Sequence, residues 1–188
     1  MKEIIRKFVK LLVSPIVLVF FILYKLKLAQ YKTITIFISK IPGFIGNTLR
    51  QLFYEFTLDY VGNNLRVFYG SYIVYPNISI GNNCTIEEDC IISLCNIGDD
   101  VIIAANVSIM SGNKHHDVDD TINTFYNSKS IQKRVILGNN LWIGVRSVIM
   151  ADISSHTAVG AGSVVTKTFP EYMVIAGIPA KVIKSRIN

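Results

Sequence analysis

The stretch SIGNNCTIEEDCIISLCNIGDDVIIAANVSIM, residues 79–110, decides the fold. Its aliphatic residues return every six positions: Ile80 and Ile86, then Ile91, Ile97, Ile103 and Ile109. Small or branched residues stand four positions after an aliphatic one, at Cys84, Cys90, Val101 and Val107. The period is already present upstream at Val61, Val67 and Ile73, before a slip. It resumes at Leu137, Ile143 and Ile149 and runs on through Val159 and Val165. Six suits neither a helix nor an alternating strand. It suits three short parallel strands per coil, with the aliphatic side chains pointing inward and a turn at each corner. Each coil buries its face only against the next, so stacking is obligatory. Glycine and asparagine at the corners allow the positive φ of such turns. The expected fold is mainly β, a parallel β-helix over residues 61–188.

Residues 1–60 have a different texture. Residues 11–24, LLVSPIVLVFFILY, carry no charge, and lysine or arginine stands on both sides at Lys2, Arg6, Lys7, Lys10, Lys25, Lys27 and Lys32. As a helix these fourteen residues measure about 21 Å, short of the roughly 30 Å of a bilayer core. Positive charge at both ends places both ends on the cytoplasmic side. The expectation is a monotopic or re-entrant segment, with a single span or a helix buried against protein as alternatives. Ser14-Pro15 offers a kink. Further on, Ile45, Leu49, Leu52, Phe53 and Phe56 recur at helical spacing. They predict an amphipathic helix that caps the coil, lies on the membrane, or does both.

The chain of 188 residues is 51% hydrophobic and 17% charged, with a net charge of +6. Much of the basic charge flanks the apolar run, which favours a membrane surface over nucleic acid as partner. Cys84, Cys90 and Cys95 form an odd, closely spaced set without a CxxC pair. They read as buried reduced thiols, neither a disulfide framework nor a zinc site.

The hexads, with NNLWIG (139–144), GAGSVVTK (160–167) and AGIPAKVIK (176–184), resemble the left-handed β-helix, or hexapeptide-repeat, acyltransferases across residues 61–188. SGNKHH (111–116) and MADISSHTAVGAGS (150–163) are most similar to acetyltransferases of bacterial surface polysaccharides. The resemblance implies left-handed winding, acetyl-CoA as co-substrate, a homotrimer with active sites between neighbouring subunits, and a sugar or glycan acceptor. With the apolar N-terminus, it sets the expected location at the cytoplasmic face of the inner membrane. Between Ile149 and Val159 the chain is about two residues shorter than many relatives, so a tight coil is expected there.

The period breaks between Met110 and Arg134, and a loop over 111–134 leaves the coil. Solenoids carry their insertions on a functional face. The loop opens with SGNKHHDVDD (111–120). Acetyl transfer to an alcohol needs its proton removed as the oxygen attacks the thioester, and a neutral imidazole does this near pH 7. His116 best matches the family's base, with His115 as the alternative. Asp117 is the nearest orienting group, with Asp119 or a backbone carbonyl as alternatives. The thioester is already activated, so no metal is expected. Asn106 matches a substrate-contacting position and reads equally as a corner asparagine. Tyr126, Phe125 and Lys129 are loop groups that could meet a sugar. On the cofactor side the resemblance places Trp142 beside the CoA arm and the backbones of Val145 and Ala161 along the pantetheine. Thr166 and Lys167 follow, and Lys181 and Lys184 meet the CoA phosphates. His156 reads as a corner residue.

Alternatives are N-acetylation of an aminosugar by the same base, a metal hydratase like the gamma-type carbonic anhydrases, and a non-catalytic trimeric scaffold. The hydratase needs three gathered zinc-ligating histidines. Here two are adjacent and His156 lies in a different motif.

Overall fold

The computed structural model describes residues 2–112, 116, 121–128 and 131–187. Three helices come first: α1 (Lys2–Lys25), α2 (Tyr31–Ser39) and α3 (Gly43–Thr57). Five coils follow. The first holds β1 (Tyr60–Val61), β2 (Arg66–Val67) and β3 (Tyr72–Ile73), and the second β4 (Ser79–Ile80), β5 (Thr85–Ile86) and β6 (Ile91–Ile92). The third holds β7 (Cys95–Ile97), β8 (Val101–Ile103) and β9 (Ser108–Ile109), and the fourth β10 (Val135–Leu137), β11 (Leu141–Ile143) and β12 (Val148–Ile149). The fifth has a lone bridge between Ile153 and Leu137, then β13 (Ala158–Val159) and β14 (Val164–Val165). A hairpin of β15 (Met173–Gly177) and β16 (Ala180–Ser185) ends the chain.

Successive strands go to different sheets, and each returns to its own sheet one coil later. The first face stacks β1, β4, β7 and β10. The second stacks β2, β5, β8, β11, β13, β15 and β16, and the third β3, β6, β9, β12 and β14. All neighbours are parallel except β15 and β16. This is the three-faced coil that the six-residue period predicts.

Side chains alternate across each strand, so residues two apart enter the prism together. Leu65 with Val67, Ile78 with Ile80, Cys84 with Ile86, Val101 with Ile103 and Val107 with Ile109 are all at most 1% exposed. Burying one such aliphatic side chain is worth about 1.5–3 kcal/mol. One expected inward residue is corrected. Ile91 faces out at 38% exposure, and Ile92 is the buried one. The six-residue step from Ile86 is kept, and the shortened step falls later, between Ile92 and Ile97.

The corner between the first and second faces repeats a left-handed residue: Asn64, Asn83, Asp100, Asn140 and His156, with φ between 52° and 63°. Their side chains form a ladder. Asn64 Nδ2 donates to Asn83 Oδ1 (3.2 Å) and Asn83 Nδ2 to Asp100 Oδ1 (2.9 Å). Asn140 Nδ2 lies 3.0 Å from His156 Nδ1, and the His156 ring stacks on Tyr172 at 4.4 Å. His156 is therefore a corner residue, as expected.

The coil length varies. Tyr60 pairs with Ser79 nineteen residues on, Ser79 with Asn96 after seventeen, and Trp142 with Ala158 after sixteen. The last is the expected tight coil. Between the third and fourth coils the step is forty, Val135 lying beside Cys95. The excess is the loop.

The helices close the open edge of the first coil. The downward-facing Val67 carbonyl accepts from Arg50 Nε (2.8 Å), and the Ile73 N–H donates to Tyr54 Oη (3.2 Å). The Gly70 N–H donates to the Ser39 carbonyl (2.8 Å). Arg50 is 1% exposed, and its Nη1 also reaches the carbonyls of Ile38 (3.1 Å) and Ile41 (2.8 Å), joining the end of α2 to the prism. Burial lowers the Arg50 pKa from its ordinary value and raises that of Tyr54. Leu49, Leu52 and Phe53 of α3 are buried, but Ile45 and Phe56 of the same predicted stripe are 57% and 61% exposed. Pro15 lies within α1 and has no N–H for the Leu11 carbonyl; Ser14 Oγ donates to it instead (2.8 Å).

Candidate active site

The loop leaves after β9 on the third face and returns at β10 on the first, so it rises from the edge between those faces. Its neck is tied: Lys133 N–H donates to the Ser111 carbonyl (3.0 Å), and Leu94 N–H donates to Ser111 Oγ (3.2 Å). Its returning limb is pinned to lower coils. Arg134 Nη1 donates to the Asn77 carbonyl (2.6 Å) and Asn96 Oδ1 (2.8 Å), and Gln132 Nε2 donates to Tyr75 Oη (2.8 Å). The insertion thus has a fixed root.

His116 stands on this loop, exposed. Its Nδ1 is 3.3 Å from Ser128 Oγ, and its ring meets Phe125 edge-on at 6.4 Å. Ser128 Oγ in turn donates to the Phe125 carbonyl (3.0 Å). With its proton given to Phe125, Ser128 can accept from Nδ1–H in one tautomer of His116, the tautomer in which Nε2 is the acceptor. The orienting group among the described residues is thus a hydroxyl twelve positions away. Nothing in the sequence period marks Ser128. His115, Asp117, Asp119 and Lys129 lie outside the described residues. Phe125 and Tyr126 are 61% and 95% exposed.

The cofactor candidates fall in three places. Thr166 and Lys167 line a cavity of about 190 Å³ at the loop's root, with Gly112, Lys133, Met150 and Asp152 among its other walls. Trp142, 60% exposed, points out from the second face. There Trp142 pairs with Ala158, Ala158 with Val174, and Val174 with Lys184. That register line crosses three strand spacings, about 14 Å at ~4.8 Å each, and Lys181 lies further along β16. Val145, Ala161 and Asn106 occupy the edge between the second and third faces. The Val145 carbonyl already accepts from Gly162 N–H (2.8 Å). A Cβ on Gly144 would sit 2.6 Å from Ala161 N, so glycine there lets the coils close up. Asn106 has φ 60° and continues the left-handed column of Asp89 and Arg146.

One copy of the chain therefore puts His116 on one edge and Asn106, Val145 and Ala161 on another. Among the described residues, no three His, Cys, Asp or Glu side chains gather as a metal site would require.

No family model matches the chain. It is similar to the galactoside O-acetyltransferase of Escherichia coli, 36% identical over 66% of this chain, and spans 62% of that relative's length. A putative lipopolysaccharide biosynthesis O-acetyl transferase, WbbJ, of Escherichia coli is 31% identical over 78% of both chains. An Escherichia coli dTDP-4-amino-4,6-dideoxy-D-glucose acyltransferase is 29% identical over 67% of this chain and 81% of its own. Among solved structures, a maltose O-acetyltransferase from Clostridium difficile superposes with a TM-score of 0.73 at 28% identity, covering 83% of this chain and 84% of the other. A galactoside acetyltransferase in complex with coenzyme A superposes at 0.72 with 27% identity, covering 82% and 78%. With coil, loop and sequence in agreement, the chain belongs to the hexapeptide-repeat acetyltransferases.

Proposed function

We propose that the chain transfers an acetyl group from acetyl-CoA to a hydroxyl of a sugar in a bacterial surface polysaccharide or its lipid- or nucleotide-linked precursor. The observation that carries this reading is the His116–Ser128–Phe125 chain on the loop, in which the tautomer with its proton on Nδ1 would present Nε2 as the base. Nε2 takes the proton of the sugar hydroxyl as its oxygen attacks the thioester carbonyl. The tetrahedral intermediate collapses, the C–S bond breaks, and the imidazolium returns the proton to the departing CoA thiolate. Such a base is worth about 10²–10⁴-fold.

The winding is taken as left-handed and the assembly as a homotrimer, both implied by the family. The separation of His116 from Asn106, Val145 and Ala161 supports a site between copies: one copy's loop would face another's second–third edge. Trp142, Thr166, Lys167, Lys181 and Lys184 serve CoA in this reading, and Asn106 and Tyr126 the acceptor. The likeness to WbbJ supports the polysaccharide acceptor, and the apolar N-terminus supports one near the cytoplasmic face of the membrane. N-acetylation is the second reading, favoured by the aminosugar acyltransferase relative.

Thiol release from acetyl-CoA, measured over a panel of sugars and aminosugars, tests the proposal. His116→Ala should abolish acceptor-dependent release, with His115→Ala as the paired control. Release indifferent to His116→Ala would remove the assigned base, and turnover of aminosugars alone would replace O- by N-acetylation.

A further inference from the structure

Helix α1 is apolar on both sides, and protein covers only one of them. Val13 and Val17 are at most 3% exposed, and Val9, Phe20 and Tyr24 pack against the same core. On the other side Phe8, Leu11, Leu12, Leu18, Val19 and Ile22 are 44–70% exposed. A helix hydrophobic all round belongs in a protein core or in a membrane. The exposed surface extends beyond α1. Phe37, 62% exposed, lies 5.7 Å ring to ring from Phe20, and Phe56, 61% exposed, lies 6.5 Å from Phe21. Between α1 and α3 runs a groove of about 420 Å³ whose walls include Pro15, Leu18, Phe21 and Phe56.

Charge sorts along this surface. The 18-residue run Phe8–Lys25 has a mean hydropathy of 2.1 and is 11% buried. Lys10 within it is neutralised by Glu55 of α3, at 3.0 and 3.1 Å. Glu55 also accepts from Gln51 (2.9 Å). Lys25, its Nζ 5.3 Å from the centre of the Phe21 ring and 5.7 Å from that of Tyr24, ends the run, with Lys27 and Lys32 beyond it, all three exposed. Crossing a bilayer would require α1 to leave α3, uncovering Val13 and Val17 and breaking the Lys10–Glu55 pair inside hydrocarbon.

We propose that α1, with Phe37 and Phe56 beside it, lies in the plane of an anionic phospholipid bilayer. Its outer stripe sits among the acyl chains, with Lys25, Lys27 and Lys32 among the headgroup phosphates. The prism then stands on the membrane on α2 and α3. This inference is independent of the catalytic reading and survives its failure.

Flotation of the full chain with phosphatidylcholine vesicles, with and without phosphatidylglycerol, is the test. The protein should float with the anionic vesicles and less with the neutral ones. Leu11→Glu/Leu18→Glu/Ile22→Glu should stay in the dense fraction while keeping its circular dichroism spectrum and thermal transition. Lys25→Glu/Lys27→Glu/Lys32→Glu should lose the preference for anionic vesicles. Flotation of both variants like the parent overturns the proposal. So does a parent chain that stays in solution as a closed assembly, which assigns the stripe to a second copy. In sealed vesicles a cysteine appended to the N-terminus and one at Lys27→Cys should both react with an impermeant maleimide added outside. Protection of one alone means a span and also overturns the proposal. The three native cysteines, at most 1% exposed, give no background.

Discussion

In the coils Ile103 is fixed several times over: it is fully buried, and its strand is paired to Ile86 on one side and Ile143 on the other. On the loop, among the described residues, His116 is held by one hydrogen bond of 3.3 Å and one ring contact. The coils spend their side chains on cohesion. The loop leaves His116, Phe125 and Tyr126 in water and is tied at its ends, through Ser111, Gln132 and Arg134. In the proposed reading stability and chemistry are carried by separate residues, and substitutions should affect one without the other.

The largest effect is expected at the imidazole. His116→Ala should lower kcat/KM by about 10²–10⁴ with an unchanged melting temperature. A matching loss of stability would show the loop to be part of the scaffold and break the comparison. Ile103→Ala should do the reverse, costing about 2–5 kcal/mol in urea unfolding while the folded fraction keeps its rate. Ser128→Ala removes the acceptor that holds Nδ1–H. A neutral hydrogen bond is worth about 0.5–1.5 kcal/mol, so kcat should fall up to about tenfold, read from steady-state rates.

Asn106 separates two readings of one residue. At φ 60° alanine is strained by about 1 kcal/mol and glycine is not. If the residue is a corner only, Asn106→Ala lowers the melting temperature slightly, Asn106→Gly does not, and neither changes the rate. A rate loss in both variants gives the amide a role at the substrate.

The last effect is nil at neutral pH. Burial pushes the thiols of Cys84 and Cys90 up to about 11 and that of Cys95 to about 12, from an ordinary value near 9. The folded chain keeps protons that the unfolded chain releases. The stability they contribute is fully present below pH 9 and is lost as pH rises toward 11–12. Melting temperatures measured from pH 8 to 11 should fall, and Cys95→Ala should flatten the slope.

Much of the prism was legible because its constraint is local and repeated. Two of the three corners in each coil need a residue that tolerates positive φ, and each strand needs an inward aliphatic side chain. The one misreading, Ile91 for Ile92, arose where two isoleucines adjoin and a five-residue step had to be placed somewhere. The loop was legible as an interruption, and His116 and His115 as its candidate bases. Ser128 was not, because a loop contact across twelve residues has no period. The helices were read as apolar, but the sequence could not tell which side of α1 faces α3. That depends on where Glu55 and Phe56 come to lie, a matter of tertiary packing.

The two ends of the stack are sealed by different means. Below, Arg50, Tyr54 and Ser39 engage groups that the first coil offers downward. Above, β16 turns back against β15 and reverses the strand direction on the second face. A column of parallel strands is an invitation to another column, since each free rim repeats the pairing pattern within. With a guanidinium plugged into one rim and a reversed strand on the other, copies are discouraged from adding end on end into a fibre. Any assembly would use the flanks of the prism.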